Sequence, residues 1–247
     1  MCLILVGYRS AADFPLIIAA NRDEFHGRAS APAHFWQDHE QVLAGRDLVA
    51  GGTWLGTTRT GRFAAVTNFS DPDDGPARLS RGLLVHAFLT GTDSAQHYAH
   101  HVHGPDYAGF NLLLFDGDDL VYTSNKGTTD VLQPGFYGLS NAELGAEWPK
   151  CIFGAQGLQK ITSQPFDAAD LIGLLHDSDI PADDQLPHRG RPIETERQVG
   201  SCFIVGDEYG TRASTSLILS HDRLRFAEQS YASGGISAGL VDFEFDL

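Results

Sequence analysis

Residues 1–24 read MCLILVGYRSAADFPLIIAANRDE, two apolar runs, Cys2–Tyr8 and Leu16–Ala20, the second closed by the polar cluster Asn21-Arg22-Asp23-Glu24. Apolar runs this short, ended by turn residues, read as strands rather than helices. Side chains alternate along a strand, so Arg22 and Glu24 face one way and Asn21 and Asp23 the other. Charged groups at the end of an apolar strand are costly unless they reach solvent or each other, which puts the cluster at a cleft or a rim. Further runs at Leu48–Ala50, Thr53–Thr58 and Phe63–Asn68 are separated by Gly51-Gly52 and Arg59-Thr60-Gly61. The first third therefore reads as a block of antiparallel hairpins.

Beyond it the pattern changes. Ser80 is positioned to cap a helix through Leu83, Leu84, His86, Ala87 and Phe88 that Gly91 stops, and Thr92 or Asp93 to cap a second, reaching His101. Strands return at Asn111–Phe115, Leu120–Ser124 and Gly135–Ser140. A helix is expected near Trp148-Pro149, where proline suits the first turn, and another over Asp167–His176. Asp177–Glu194 reads as a long irregular loop, followed by strands at Cys202–Val205, Thr211–Ser220 and Leu224–Ala227. Strands, then helices, then strands, with no regular alternation, give an α+β class with helices outside two sheets. No linker or repeat divides residues 1–247, so one domain is expected.

Composition narrows the function classes. Seventeen basic residues against 32 acidic ones give a net charge of −15, which repels phosphate backbones and anionic lipid surfaces, so no nucleic-acid partner is expected. The N-terminal apolar run is interrupted at Arg9, and nothing later approaches the roughly 20 apolar residues of a membrane span. The three cysteines, Cys2, Cys151 and Cys202, are odd in number and far apart, which fits thiols in a reducing compartment and a cytoplasmic location.

Cys2 follows the initiator methionine, which is commonly removed before a small side chain. Its thiol would then lie beside an α-amine whose ordinary pKa is about 7.7 to 8.0, so one residue would supply nucleophile and base. A guanidinium near the sulfur would favour thiolate, and a carboxylate would hold either group in place.

Around these residues stand Leu43-Ala44-Gly45-Arg46-Asp47, Gly51-Gly52-Thr53-Trp54-Leu55-Gly56 and Gly61-Arg62-Phe63-Ala64-Ala65-Val66-Thr67-Asn68. Later come Tyr137-Gly138-Leu139-Ser140-Asn141 and Tyr209-Gly210-Thr211-Arg212. With Cys2 and Asn21-Arg22-Asp23-Glu24, in this order, they resemble the NRDE-motif family, also called the transport and Golgi organisation protein family, over most of the chain. That family is similar to N-terminal-nucleophile hydrolases of the choloylglycine hydrolase and penicillin V acylase type. The resemblance implies a four-layer αββα sandwich of two mainly antiparallel sheets and a site on Cys2, Arg22, Asp23, Asn68, Asn141 and Arg212. The hydrolases separate the arginine from its acid, whereas Arg22 and Asp23 are adjacent. Either Asp23 is not the acid partner, or a bulge turns it, or Glu24 substitutes.

In this scheme the Asn68 amide, helped by Asn141 or a backbone N–H, binds the oxyanion that forms when the thiolate attacks a carbonyl. Trp54 between its flanking glycines, and Trp36 with Phe35, are the candidates for a pocket wall beside Glu24. His97, His100, His101 and His103 read as a solvated helix face, because no acidic or cysteine ligand is spaced with them, and Asp71, Asp73 and Asp74 as a polar turn, so no metal is assigned. Two functions compete: a cysteine amidohydrolase (or thioesterase) of a small non-peptide acyl compound, requiring no cofactor, and a carrier of a hydrophobic ligand such as haem or acyl-CoA, which the resemblance also implies.

Overall fold

A computed structural model describes residues 2–11, 13–70, 77–187 and 189–247. The chain forms two compact units, each drawn from separated segments: Met1–Gly27, Pro134–Ser140 and Leu144–Glu244 in the first, and Arg28–Gln133, Asn141–Glu143 and Phe245–Leu247 in the second. Asp71, Asp73 and Asp74 lie outside the described residues.

The first unit is built on a six-stranded sheet ordered β10-β1-β2-β11-β12-β13, from Gly135–Leu139, Cys2–Ala11, Phe14–Phe25, Tyr209–Leu219, Arg223–Ala232 and Ile236–Asp246. β1 pairs antiparallel with both β2 and β10, and β11 pairs antiparallel with both β2 and β12. Helices α3 (Pro149–Thr162) and α4 (Ala168–Leu174) pack on this sheet, α3 against β1 and β10, α4 against β2, β11 and β12. The close seat of α3 explains a motif glycine: a Cβ on Gly138 would stand 2.3 Å from the Cys151 carbonyl oxygen. Leu3, Ile4, Leu5 and Val6 are all fully buried, so both faces of β1 are covered, as its unbroken apolar run requires.

The second unit is built on a seven-stranded sheet in sequence order: β3 (Ser30–Phe35), β4 (Val42–Asp47), β5 (Leu55–Thr58), β6 (Phe63–Asn68), β7 (Phe110–Phe115), β8 (Leu120–Ser124) and β9 (Thr129–Val131). Every neighbouring pair is antiparallel. Helix α1 (Gly82–Thr90) packs on β4 to β7 and α2 (Ala95–His101) on β7 to β9. The core of this unit joins Leu84, Val85 and Phe88 of α1 to Ala64, Val66, Leu112 and Leu114 of the sheet. Gly52 is the second required glycine, since a Cβ there would sit 2.5 Å from the Gly82 carbonyl at the start of α1.

The α+β class with two antiparallel sheets and helices packed on them agrees with the sequence expectation. Local differences have local causes. Leu48–Ala50 is a turn, not a strand: Asp47 Oδ1 accepts the Val49 and Ala50 N–H groups at 2.9 and 3.1 Å, Gly51 takes φ +79°, and Leu48 and Val49 are exposed. Cys202–Val205 joins no ladder, because Phe203 N–H goes to the Asp177 carbonyl and Ile204 N–H to Thr211 Oγ1. Helix α2 is capped by Ser94, and α1 has no side-chain cap. Strands β3, β4, β9 and β13 and helix α5 (Ile193–Gly200) were not apparent from sequence. Among the described residues, no helix is long and apolar enough to cross a membrane.

Candidate active site

The β1–β2 register sets Cys2 directly opposite Arg22. Directly opposed residues of an antiparallel pair project from the same face. The other face is the one that carries the helices: a Cβ on Gly154 of α3 would meet Leu5, and Asn21 Nδ2 donates to the Leu175 carbonyl just beyond α4 at 2.9 Å and to the Cys202 carbonyl at 2.8 Å. Cys2, Arg22 and Glu24 therefore share the face away from the helices. Cys2 keeps partial exposure, and its carbonyl accepts the Ser140 hydroxyl at 2.7 Å.

Burial pushes the Cys2 thiol above its ordinary pKa, and the negative charge of Asp23 adds to that. The Arg22 guanidinium and a hydrogen bond from the Asp23 backbone act the other way without overcoming it. The Arg22 cation favours thiolate, as expected of a guanidinium beside the sulfur, and desolvation outweighs it.

Arg22 and Glu24 form an ion pair at 3.8 Å with side chains 13% and 27% exposed, so solvent still reaches both. Arg212 joins them through a bulge: the β2–β11 register passes from Thr211↔Asp23 to Ala213↔Arg22 and leaves Arg212 as the extra residue. Its Nη1 donates to the Phe25 and His26 carbonyls at 3.0 and 3.2 Å. Burial, then the like charge of Arg22, lower the Arg212 pKa, with Glu24 opposing. Two guanidiniums and one carboxylate thus stand on the Cys2 face.

Asp23 follows the alternation to the helix face. It is buried, and Oδ1 accepts the Thr211 hydroxyl at 2.8 Å. Burial raises its carboxyl above the usual range, while the charge of Lys150, the Thr211 hydroxyl and Arg22 pull it down. Of the three readings left open by sequence, the bulge exists on β11 rather than β2, and Glu24 is the carboxylate that pairs with Arg22.

The second unit holds the remaining candidates. Asn68 ends β6 exposed, and its carbonyl accepts Asn141 Nδ2 at 2.7 Å. Asn141 is buried, and its own carbonyl accepts the Ser70 N–H at 2.7 Å, so it straps the end of β6. Asn111 Nδ2 donates to the Ala142 carbonyl at 2.8 Å and to Thr67 Oγ1 at 3.2 Å, with Tyr122 bonded to its oxygen at 2.8 Å. Trp36 needs correction. Trp36 is fully buried in the core beneath α1, with Nε1 on the Ala44 carbonyl at 3.1 Å and the Arg46 guanidinium 4.4 Å from its ring, because an indole with its N–H satisfied is most stable out of water. Trp54 packs against the same cluster, and Phe35 holds the Arg59 guanidinium 3.7 Å from its ring. His97, His100, His101 and His103 are exposed, the rings of His97 and His101 stacked at 4.0 Å.

Sequence reading missed Thr211, Lys150 and Asn111. Asn111 carried a signal, a lone amide inside the apolar strand Phe110–Phe115, where a polar side chain needs a partner. Lys150 carried none, since a lysine in a first helical turn is ordinary.

Comparison with known proteins bears on this arrangement. A family profile described as Transport and Golgi organisation 2 matches residues 1–233. The mouse Transport and Golgi organization 2 homolog is 35% identical over 100% of this chain and 99% of its own length. The human homolog is 36% identical over 96% of this chain and 95% of its own. Among solved structures, the Caenorhabditis elegans ortholog of N-acylethanolamine-hydrolyzing acid amidase matches with a TM-score of 0.54 at 11% identity, covering 88% of this chain and 92% of that one. That likeness shows a shared N-terminal-nucleophile-hydrolase-like fold.

Proposed function

The chain belongs to the Transport and Golgi organisation 2 family, and from that premise we propose that it is a cysteine amidohydrolase of the N-terminal-nucleophile kind, acting on a small non-peptide acyl amide or thioester. The observation that carries this reading is the pairing of Cys2 with Arg22 on the face away from the helices, beside Glu24 and the bulged Arg212. A thiol held above its ordinary pKa is a poor nucleophile near neutrality, so the site needs a base. With Met1 removed, the Cys2 α-amine is that base: at an ordinary pKa of about 7.7 to 8.0 it is partly unprotonated near neutrality.

In the proposed reaction the amine takes the thiol proton as sulfur bonds to the acyl carbon. The proton passes to the leaving amine (or thiolate) as its bond to carbon breaks, and water then cleaves the acyl-thioester. The family resemblance assigns the transient oxyanion to the Asn68 amide, held by Asn141. Losing such a donor typically costs about 2.7 to 4 kcal/mol of transition-state stabilisation. Asp23, whose charge and backbone both act on the Cys2 sulfur, serves to position the residue.

Turnover of a panel of acyl amides and acyl thioesters should vanish in Cys2→Ala; unchanged turnover in that variant rules the mechanism out. The same burial of the thiol suits a second reading, a carrier whose pocket takes haem or acyl-CoA. Saturable binding of either, in a chain without turnover on the panel, would favour it.

A further inference from the structure

On the helix face of the first sheet a cavity of about 280 Å³ opens between α3, the end of α4 and the chain leading into and out of α5. Its lining combines Phe153, Leu174, Ile180 and Pro181 with Lys150. Lys150 is only 7% exposed. Its Nζ donates to the Val199 carbonyl at 2.9 Å and the Ser201 carbonyl at 3.4 Å, both at the C-terminal end of α5. An ammonium has three hydrogens. Among the described residues these two carbonyls are its acceptors, so one donor remains for an occupant of the cavity. The Lys150 charge reaches deep, lowering the pKa of Asp23, Cys151 and Cys202 against their burial.

We infer that this cavity binds a short aliphatic carboxylate, one oxygen on Lys150 Nζ and the chain against Phe153, Leu174 and Ile180. Two acids also line the cavity, Asp177 and Asp179, and they set the choice between an anion and a cation. Both are exposed, and Asp177 Oδ1 already accepts the Asp179 N–H at 2.9 Å. Charge in solvent is screened about fourfold more than charge at a buried site, where the effective dielectric constant is about 20 rather than about 80. The buried ammonium therefore outweighs them, and a carboxylate is favoured over an amine of the same length. Lying on the opposite face of the sheet from the Cys2 side chain, the site stands independently of the proposed hydrolysis.

Calorimetry and ligand-observed NMR on the full chain, with hexanoate as the probe, test it. Saturable binding at one site is expected, with hexylamine failing to compete. Lys150→Met should weaken hexanoate about tenfold or more. Because that change also removes a cap from α5, Ile180→Trp provides a second variant: the residue is 56% exposed, and an indole there should fill the mouth and weaken binding to a similar degree. Cys2→Ala should bind hexanoate as the wild type does. Absence of saturable binding, preference for hexylamine, unchanged affinity in both cavity variants, or loss of binding in Cys2→Ala would each overturn the inference.

Discussion

The four residues that close β2 divide between its faces, and the two faces use polarity differently. Toward the helices, Asn21 is fully buried, bonded to the Leu175 and Cys202 carbonyls and to the Ser214 hydroxyl at 2.6 Å, and Asp23 is locked to Thr211. Away from them, Arg22 and Glu24 hold a looser pair at 3.8 Å that solvent can reach, beside a thiol. Buried amides with satisfied partners fix a backbone, whereas partly exposed charges leave room for a ligand to compete. One tetrapeptide thus contributes both a buried scaffold and the charged surface proposed as reactive.

If that division is right, Asn21→Leu should have the largest effect on stability. It strands two carbonyls and a hydroxyl in the interior, a loss of order 3 kcal/mol or more, read as a lower urea midpoint with an unchanged slope. A neutral outcome would mean that the helix-face network carries no structure.

The charges flanking the thiol should act in opposite directions on its alkylation rate against pH. Arg22→Ala removes a charge that lowers the Cys2 pKa, so its midpoint should rise; Asp23→Asn removes one that raises it, so its midpoint should fall. Asp23→Asn has a second signature. Burial lifts the Asp23 carboxyl above its ordinary 3.8, so the native state holds the proton longer than the unfolded chain does. The stability that this contributes is complete below the ordinary value and is lost as pH rises through the folded one. Asn, which never ionises, should therefore gain on the wild type as pH rises through that window, as paired denaturation curves would show. The smallest effect belongs to Glu24→Gln: a partly exposed pair at 3.8 Å contributes within about 1 kcal/mol, so stability should barely move. A larger loss would place Glu24 with the scaffold.

Much of this was legible from residues alone, where local rules suffice. Period-2 alternation separated Arg22 and Glu24 from Asn21 and Asp23, Pro149 marked the start of α3, and the helix expected over Asp167–His176 is α4, Ala168–Leu174. What escaped depends on distant partners. β13 is largely exposed and lacks an apolar run, so its strand character comes from the neighbour it extends. Trp36 looked like a pocket wall until the Ala44 carbonyl satisfied its N–H inside a core. The β11 bulge that sets Arg212 outside the register leaves no mark in Thr211-Arg212-Ala213, and the upward shift of the thiol is a sum over neighbours from several segments.

The most direct test is mass analysis of the N-terminal peptide after brief incubation with the acyl amide and thioester panel and acid quenching. A peptide beginning at Cys2, methionine absent, should carry one acyl group on sulfur, and the group should disappear on the timescale of product release. Turnover by a chain that keeps its initiator methionine, or an acyl group attached anywhere other than this sulfur, would contradict a single residue serving as both nucleophile and base.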